Sequence, residues 1–78
     1  MQEAEARFTL KTIREMRKLT QEEAAKLIGI SADTLSNYER GRSYPDIPVL
    51  RKIEEVYKVT YKQLIFLPLD YDKTVNFM

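Results

Sequence analysis

Ala32, Asp33, Thr34, Ser36 and Asn37 gather small polar groups and two methyls on one short stretch. If that stretch is helical, Leu35 and much of Tyr38 must face inward and leave the others on outward or flanking faces. Their chemistry is recognition by hydrogen bonding. The Asn37 carboxamide can pair in bidentate fashion with an adenine edge, Asp33 can accept from a cytosine amino group, and Ala32 or the Thr34 methyl can meet a thymine methyl. Asp33 has a second use, as a first-turn acid that favours the helix dipole. Covalent chemistry lacks its parts. The chain has no Cys and no His, hence no Cys-His or Ser-His pair and no cysteine- or histidine-based metal site. Its acids, serines and tyrosines show no paired spacing beyond helix caps and surface pairs, so neither an enzyme nor a cofactor is expected.

For those side chains to project, their helix must be held out from the body of the protein. Thr20 can cap a preceding helix, its hydroxyl accepting from the Glu23 amide while the Glu23 side chain reaches back. Gly29 stops that helix with a left-handed residue. Only Ile30 separates Gly29 from Ser31, the next N-cap, and Ile30 with Leu35 can form a hydrophobic staple. The second helix then runs to about Tyr38 or Arg40, before Gly41. Two helices joined at so tight a corner lie at a large angle, a helix-turn-helix signal, and the second presents its outer face as a recognition helix does to a DNA major groove. Gln21 sits in the first turn of the leading helix, where free amides and the positive dipole end attract anions. Its plainer role is that of an exposed polar residue suited to a helix.

The run TQEEAAKLIGISADTLSNYERG, preceded by a basic first helix and followed by a proline, resembles the DNA-binding domain of the lambda repressor and Cro family, also called XRE-type. The likeness covers residues 8–67, with the Thr-Gln-Glu opening, Gly29, Tyr38-Glu39 and Gly41 all at the family's spacing. It implies an all-α, five-helix lambda-repressor-like domain. It also implies that Ser31, Ala32, Asp33, Thr34 and Asn37 touch base edges and that Gln21, Ser36, Arg40, Arg42, Ser43 and Tyr44 meet phosphates. Phosphate contacts position the protein without reading sequence, and Tyr44 has packing as its alternative role. Ala32 stands where the family commonly has glutamine, so no particular operator carries over. Arg14 and Glu39 match a family pair that forms an internal salt bridge between the first helix and the end of the recognition helix, a brace and not a DNA contact.

Upstream, Thr9 can cap the first helix and Phe8 can staple onto Ile13, with Leu10, Ile13, Arg14 and Arg17 at helical spacing and Lys11, Glu15 and Lys18 wet. Arg17 and Lys18 are either solvated helix-end cations or contacts to a nucleic-acid backbone. Downstream, Asp46 can cap a fourth helix with Pro48 in its first turn and Leu50, Ile53, Val56 and Tyr57 buried. Thr60 and Gln63 repeat the capping-box pattern and predict a fifth helix to Leu67, ended by Pro68. Residues 1–7 lack an apolar face. From Leu69 the period changes to two, through Tyr71, Val75 and Phe77, which reads either as a disordered tail or as an arm docked on its own domain or on a second subunit.

At 78 residues and 44% hydrophobic, the chain suits one small domain over residues 8–67 with a tail over 68–78. Its net charge of +1 hides an uneven distribution. Residues 7–67 carry twelve Lys and Arg against eight acids, whereas Glu3, Glu5, Asp70 and Asp72 at the ends face only Lys73. The longest uncharged apolar run, Leu64 to Leu69, is far short of the ~20 residues that span a bilayer. The N-terminus is acidic rather than signal-like, and the absence of Cys suits a reducing compartment. The expectation is a cytoplasmic chain with no membrane partner and no evident small-molecule ligand. Taken with the resemblance, these features point to a sequence-specific DNA-binding transcriptional regulator, a phage or prophage Cro-like repressor. It would bind a palindromic operator in double-stranded DNA as a homodimer, through the fifth helix and tail. The alternative is a protein-interaction module, an antitoxin or antirepressor on the same scaffold, favoured by the acidic tail and the missing glutamine at Ala32.

Overall fold

Every helix starts at a side chain that satisfies its first free amides. In the computed structural model, which describes residues 6–67, Thr9 accepts from the Thr12 amide at 3.1 Å and opens α1, Leu10–Met16. Thr20 and Glu23 form the reciprocal capping box of α2, Gln21–Ile28, at 3.0 and 2.9 Å. Ser31 accepts from the Thr34 amide at 3.0 Å at the start of α3, Ala32–Arg40. Asp46 does the same for Val49 at 3.1 Å at the head of α4, Ile47–Tyr57, with Pro48 in the first turn. Gly29 (φ +94°) and Gly41 (φ +77°) end α2 and α3 in the left-handed region. No atom would crowd a Cβ at Gly29, so its constraint is the backbone angle itself. Lys18 (φ +61°) and Lys58 (φ +57°) take the same conformation after α1 and α4 without glycine's freedom, at a cost of about 1 kcal/mol each.

The expected fifth helix is not formed. Four α-helices are present among the described residues, and Tyr61–Gln63 makes a single 3-10 turn before the chain straightens. Gln63 does reach back to the Thr60 amide, at 3.1 Å. Leu64–Ile65 (β2) then pairs in parallel with Phe8–Thr9 (β1), Phe8 opposite Leu64 and Thr9 opposite Ile65. Three causes favour the extended form. Pro68 disfavours helical backbone at Leu67, Ile65 and Phe66 suit a strand, and the pairing satisfies backbone groups that a two-turn helix would leave free. The period-two pattern buries Leu64 and leaves Ile65 exposed. Thus Phe8, expected at a helix start, lies in a strand. Residues 1–5 of the stretch 1–7 that lacks an apolar face, and the tail or arm expected over residues 68–78, lie outside the described residues.

One core joins all of these elements. Leu10 and Ile13 of α1, Ala24, Ala25 and Ile28 of α2, Leu35 of α3, Ile53 and Tyr57 of α4, then Val59 and Leu64, form a single buried cluster. The alanines let α2 approach both α3 and α4 closely. Leu50 and Val56 are half-buried, at the edge of the stripe. The Tyr57 side chain is wholly buried, and its hydroxyl has no hydrogen-bond partner among the described residues. Burial, with the nearby Glu39 charge adding and Arg14 opposing, pushes that hydroxyl up to about 12. No helix among the described residues is long and apolar enough to cross a membrane.

Candidate nucleic-acid interface

Only residues 29–31 separate α2 from α3, and Leu35, wholly buried, fixes which side of α3 faces the core. Tyr38 and Ala32 pack partly against that core. Burial, with a smaller effect from Asp46, raises the Tyr38 hydroxyl above its ordinary value. Asp33, Ser36, Asn37 and Arg40 therefore fall at helical spacing on the opposite side, all exposed except the half-buried Ser36.

The expected base-contact residues separate into two groups. Asp33 and Asn37 lie on the exposed face. Ser31 and Thr34 are engaged with each other: the Ser31 hydroxyl accepts from the Thr34 amide and donates to Thr34 Oγ1 at 2.9 Å. Ala32 is half-buried, so its methyl is shared with the domain interior.

Behind α3 lies a polar brace. Arg14 Nε donates to Glu39 Oε2 at 2.7 Å and a second guanidinium nitrogen to Oε1 at 3.3 Å, while Arg14 Nη1 donates to the Leu19 carbonyl at 2.9 Å. Gln21 Nε2 donates to Glu39 Oε1 at 3.0 Å. Only 11% of the Arg14 side chain and 4% of the Glu39 side chain remain exposed. The hydrogen bond to Glu39 raises the Arg14 guanidinium above its ordinary value, against the opposing effect of burial. The brace ties α1, the start of α2 and the end of α3 together, so the tilt of α3 is set before any ligand arrives.

The expected phosphate contacts are also divided. Gln21, Ser36 and Arg40 line one open recess of about 490 Å³, beside the Arg14–Glu39 pair. Lys11 lines it too, although the sequence marks it only as a wet residue of α1; its signal was its position three residues before Arg14, on the same helix face. Arg42 is exposed and Ser43 half-buried in the loop after α3. Tyr44 turns to the C-terminal segment: its hydroxyl donates to the Leu67 carbonyl at 2.6 Å and its ring meets Phe66 edge-on, centroids 6.2 Å apart. Arg17 is no free helix-end cation, for its Nε donates to the Tyr57 carbonyl at 2.8 Å and closes the end of α4.

Capped α2, a glycine corner and the braced, outward-facing α3 define a helix-turn-helix protein. Residues 10–64 match the helix-turn-helix family, and the chain belongs to it, in the XRE-type branch. The HTH-type transcriptional regulator ImmR of Bacillus subtilis (strain 168) is similar, 39% identical over 56 residues that make up 72% of this chain and 44% of that protein. The chain thus spans under half the length of that relative. No solved structure matches it.

Proposed function

We propose that this protein is a sequence-specific DNA-binding transcriptional regulator, of the phage or prophage repressor type, that inserts α3 into the major groove and acts by occluding a promoter. The observation that carries this reading is the exposed stripe of α3 set on a brace that fixes its tilt. Asp33 and Asn37 read base edges, with the Thr34 methyl and Ala32 beside them. Gln21, Ser36 and Arg40 meet the sugar-phosphate backbone on one side, and Arg42 and Ser43 meet it beyond the end of α3. One such helix covers only a few base pairs, so useful specificity calls for a homodimer on a two-fold symmetric operator, half-sites about one helical turn apart.

A face for the second copy is supported by α4. Ile47 (61% exposed) and Tyr61 (55%) flank Leu50 around a surface recess of about 500 Å³, with Arg51 and Glu54 on the same face. A two-fold axis through that face brings Arg51 of one copy toward Glu54 of the other, which makes the surface self-complementary in charge as well as apolar. This face takes over the role expected of the fifth helix. The same apolar surface is what a protein-interaction module would use, and the two readings differ in their response to salt.

The test is selection of bound sequences from a randomised DNA pool, with the mass of the protein measured alone and on the recovered site. A palindrome bound by two copies is expected. Absence of enrichment at low salt overturns the reading and leaves the interaction module.

A further inference from the structure

We infer that Lys11, on α1, is a contact to the DNA backbone and completes a phosphate clamp made from three helices. The inference rests on the DNA-binding reading above and adds a residue to it. The recess beside the recognition helix is lined by Lys11, Gln21, Ser36 and Arg40 around the Arg14–Glu39 pair. Arg14 and Glu39 neutralise each other at 2.7 Å, and Gln21 is oriented by the same carboxylate, one N–H held and the other left for an acceptor. Lys11 and Arg40 make no ion pair or hydrogen bond with any described residue, so two uncompensated positive charges face one opening. The Ser36 hydroxyl and the second Gln21 N–H complete a donor set with no acid unpaired. That composition suits an oxyanion with several acceptors, and a backbone phosphate next to α3 is the oxyanion within reach when α3 occupies the groove.

Lys11 differs in kind from the other members. It lies outside the helix-turn-helix unit, on the helix that Arg14 joins to Glu39. A phosphate held between Lys11 and Arg40 therefore fixes α1 as well as α3 against the duplex and limits how far α3 can roll in the groove. Lys11 is a positioning residue in this scheme: it changes affinity for all sequences alike and leaves base preference unchanged.

The test is the salt dependence of binding to the selected operator and to an unrelated duplex, for the full chain and for Lys11→Ala, Lys11→Arg and Lys52→Ala. Lys52 pairs with Glu55 on α4 and controls for loss of one positive charge. Lys11→Ala is expected to lower the slope of log affinity against log salt by about 0.9. The deficit relative to the full chain then shrinks about threefold as salt rises from 50 to 200 mM. The deficit should be equal on both duplexes, Lys11→Arg should keep the original slope, and melting temperature should be unchanged. A slope for Lys11→Ala equal to that of the full chain overturns the inference while leaving the DNA-binding reading intact. So does an equal drop for Lys52→Ala, which would make the effect one of overall charge. If the unaltered chain itself shows no salt-dependent DNA binding, both readings fall together.

Discussion

Around Glu39 the side chains of three helices are joined by hydrogen bonds, whereas around Leu50 the surface is apolar and its charged neighbours, Arg51 and Glu54, are not paired with each other. The first region is held within one chain: Arg14 and Gln21 both donate to Glu39, and what remains exposed on α3 is polar. The second has large apolar side chains in water, with Ile47 the most exposed of them. The difference separates two ways of preparing a surface. A face that must read another molecule's hydrogen-bonding pattern has to hold its geometry in advance. A face that gains free energy from covering apolar area needs only shape and a matching charge pattern.

The largest effect tests the rigidity of the first region. Glu39→Ala leaves the Arg14 guanidinium with little exposed surface, no carboxylate partner and only the Leu19 carbonyl as acceptor, and a loss on the order of 3 kcal/mol is expected in urea unfolding. The exposed Lys52–Glu55 pair, at 3.5 Å, is the reference; Glu55→Ala should cost no more than about 0.5 kcal/mol. Equal costs for the two substitutions would remove the distinction between braced and open regions.

Next in size is an alkaline effect centred on Tyr57, which lies behind the brace. Its folded value of about 12 stands above the ordinary value of 10. Between those values the unfolded chain releases the proton and the folded one keeps it, so stability is fully present below pH 10 and falls as pH rises toward 12. The loss is on the order of 2–3 kcal/mol. Tyr57→Phe removes this dependence. At neutral pH it should be neutral or slightly stabilising, because the hydroxyl it deletes has no partner among the described residues. A Tyr57→Phe protein whose stability between pH 10 and 12 tracks the original would contradict the buried, unpartnered hydroxyl.

These two sites also mark where the sequence was legible. Thr20 with Glu23, Gly29, Ser31, Gly41 and Asp46 with Pro48 are signals within four residues of the backbone groups they serve, and helices α2 to α4 follow them closely. The Thr60–Gln63 signal has the same form, and its hydrogen bond is present. Yet the next residues obey β1, more than fifty positions away, and local capping carries no record of that pairing. The Arg14–Glu39 bond spans 25 residues and was legible only through family resemblance. The surroundings of Lys11 and Tyr44 were not legible for a related reason: each meets its neighbours in a place assembled from distant segments, a recess in one case and the 66–67 segment in the other.

On the apolar side, Ile47→Glu or Tyr61→Glu should weaken self-association by tens of fold, about 2 kcal/mol, and leave the thermal unfolding of the single chain nearly unchanged. Sedimentation at several concentrations measures the first and calorimetry the second. Charge reversal sharpens the comparison further. Arg51→Glu alone should disfavour a two-fold pair, and Arg51→Glu with Glu54→Arg should restore it. Glu54 also accepts from the Tyr61 amide at 2.7 Å, so loss without restoration points to another partner for the face only if Glu54→Arg alone leaves thermal unfolding unchanged.

The smallest effect concerns Tyr44, which belongs to neither region outright. It follows the recognition helix, where the family resemblance calls for a phosphate contact, but its hydroxyl proton goes to the Leu67 carbonyl and its ring packs on Phe66. Leu67 in turn lines the recess that holds Lys11 and Arg40. Tyr44→Phe keeps the ring and removes the 2.6 Å hydrogen bond, so unfolding should become easier by about 1 kcal/mol. If the hydroxyl only anchors Leu67, the salt slope of DNA binding stays as it was. If it also meets a phosphate, the slope is again unchanged, since a neutral donor releases no counterion of its own, and affinity falls by the same factor at every salt concentration. A loss of stability without a loss of affinity assigns Tyr44 to the packing of the C-terminal segment. The reverse assigns it to the face that meets DNA, and would require the Leu67 contact to open when DNA binds.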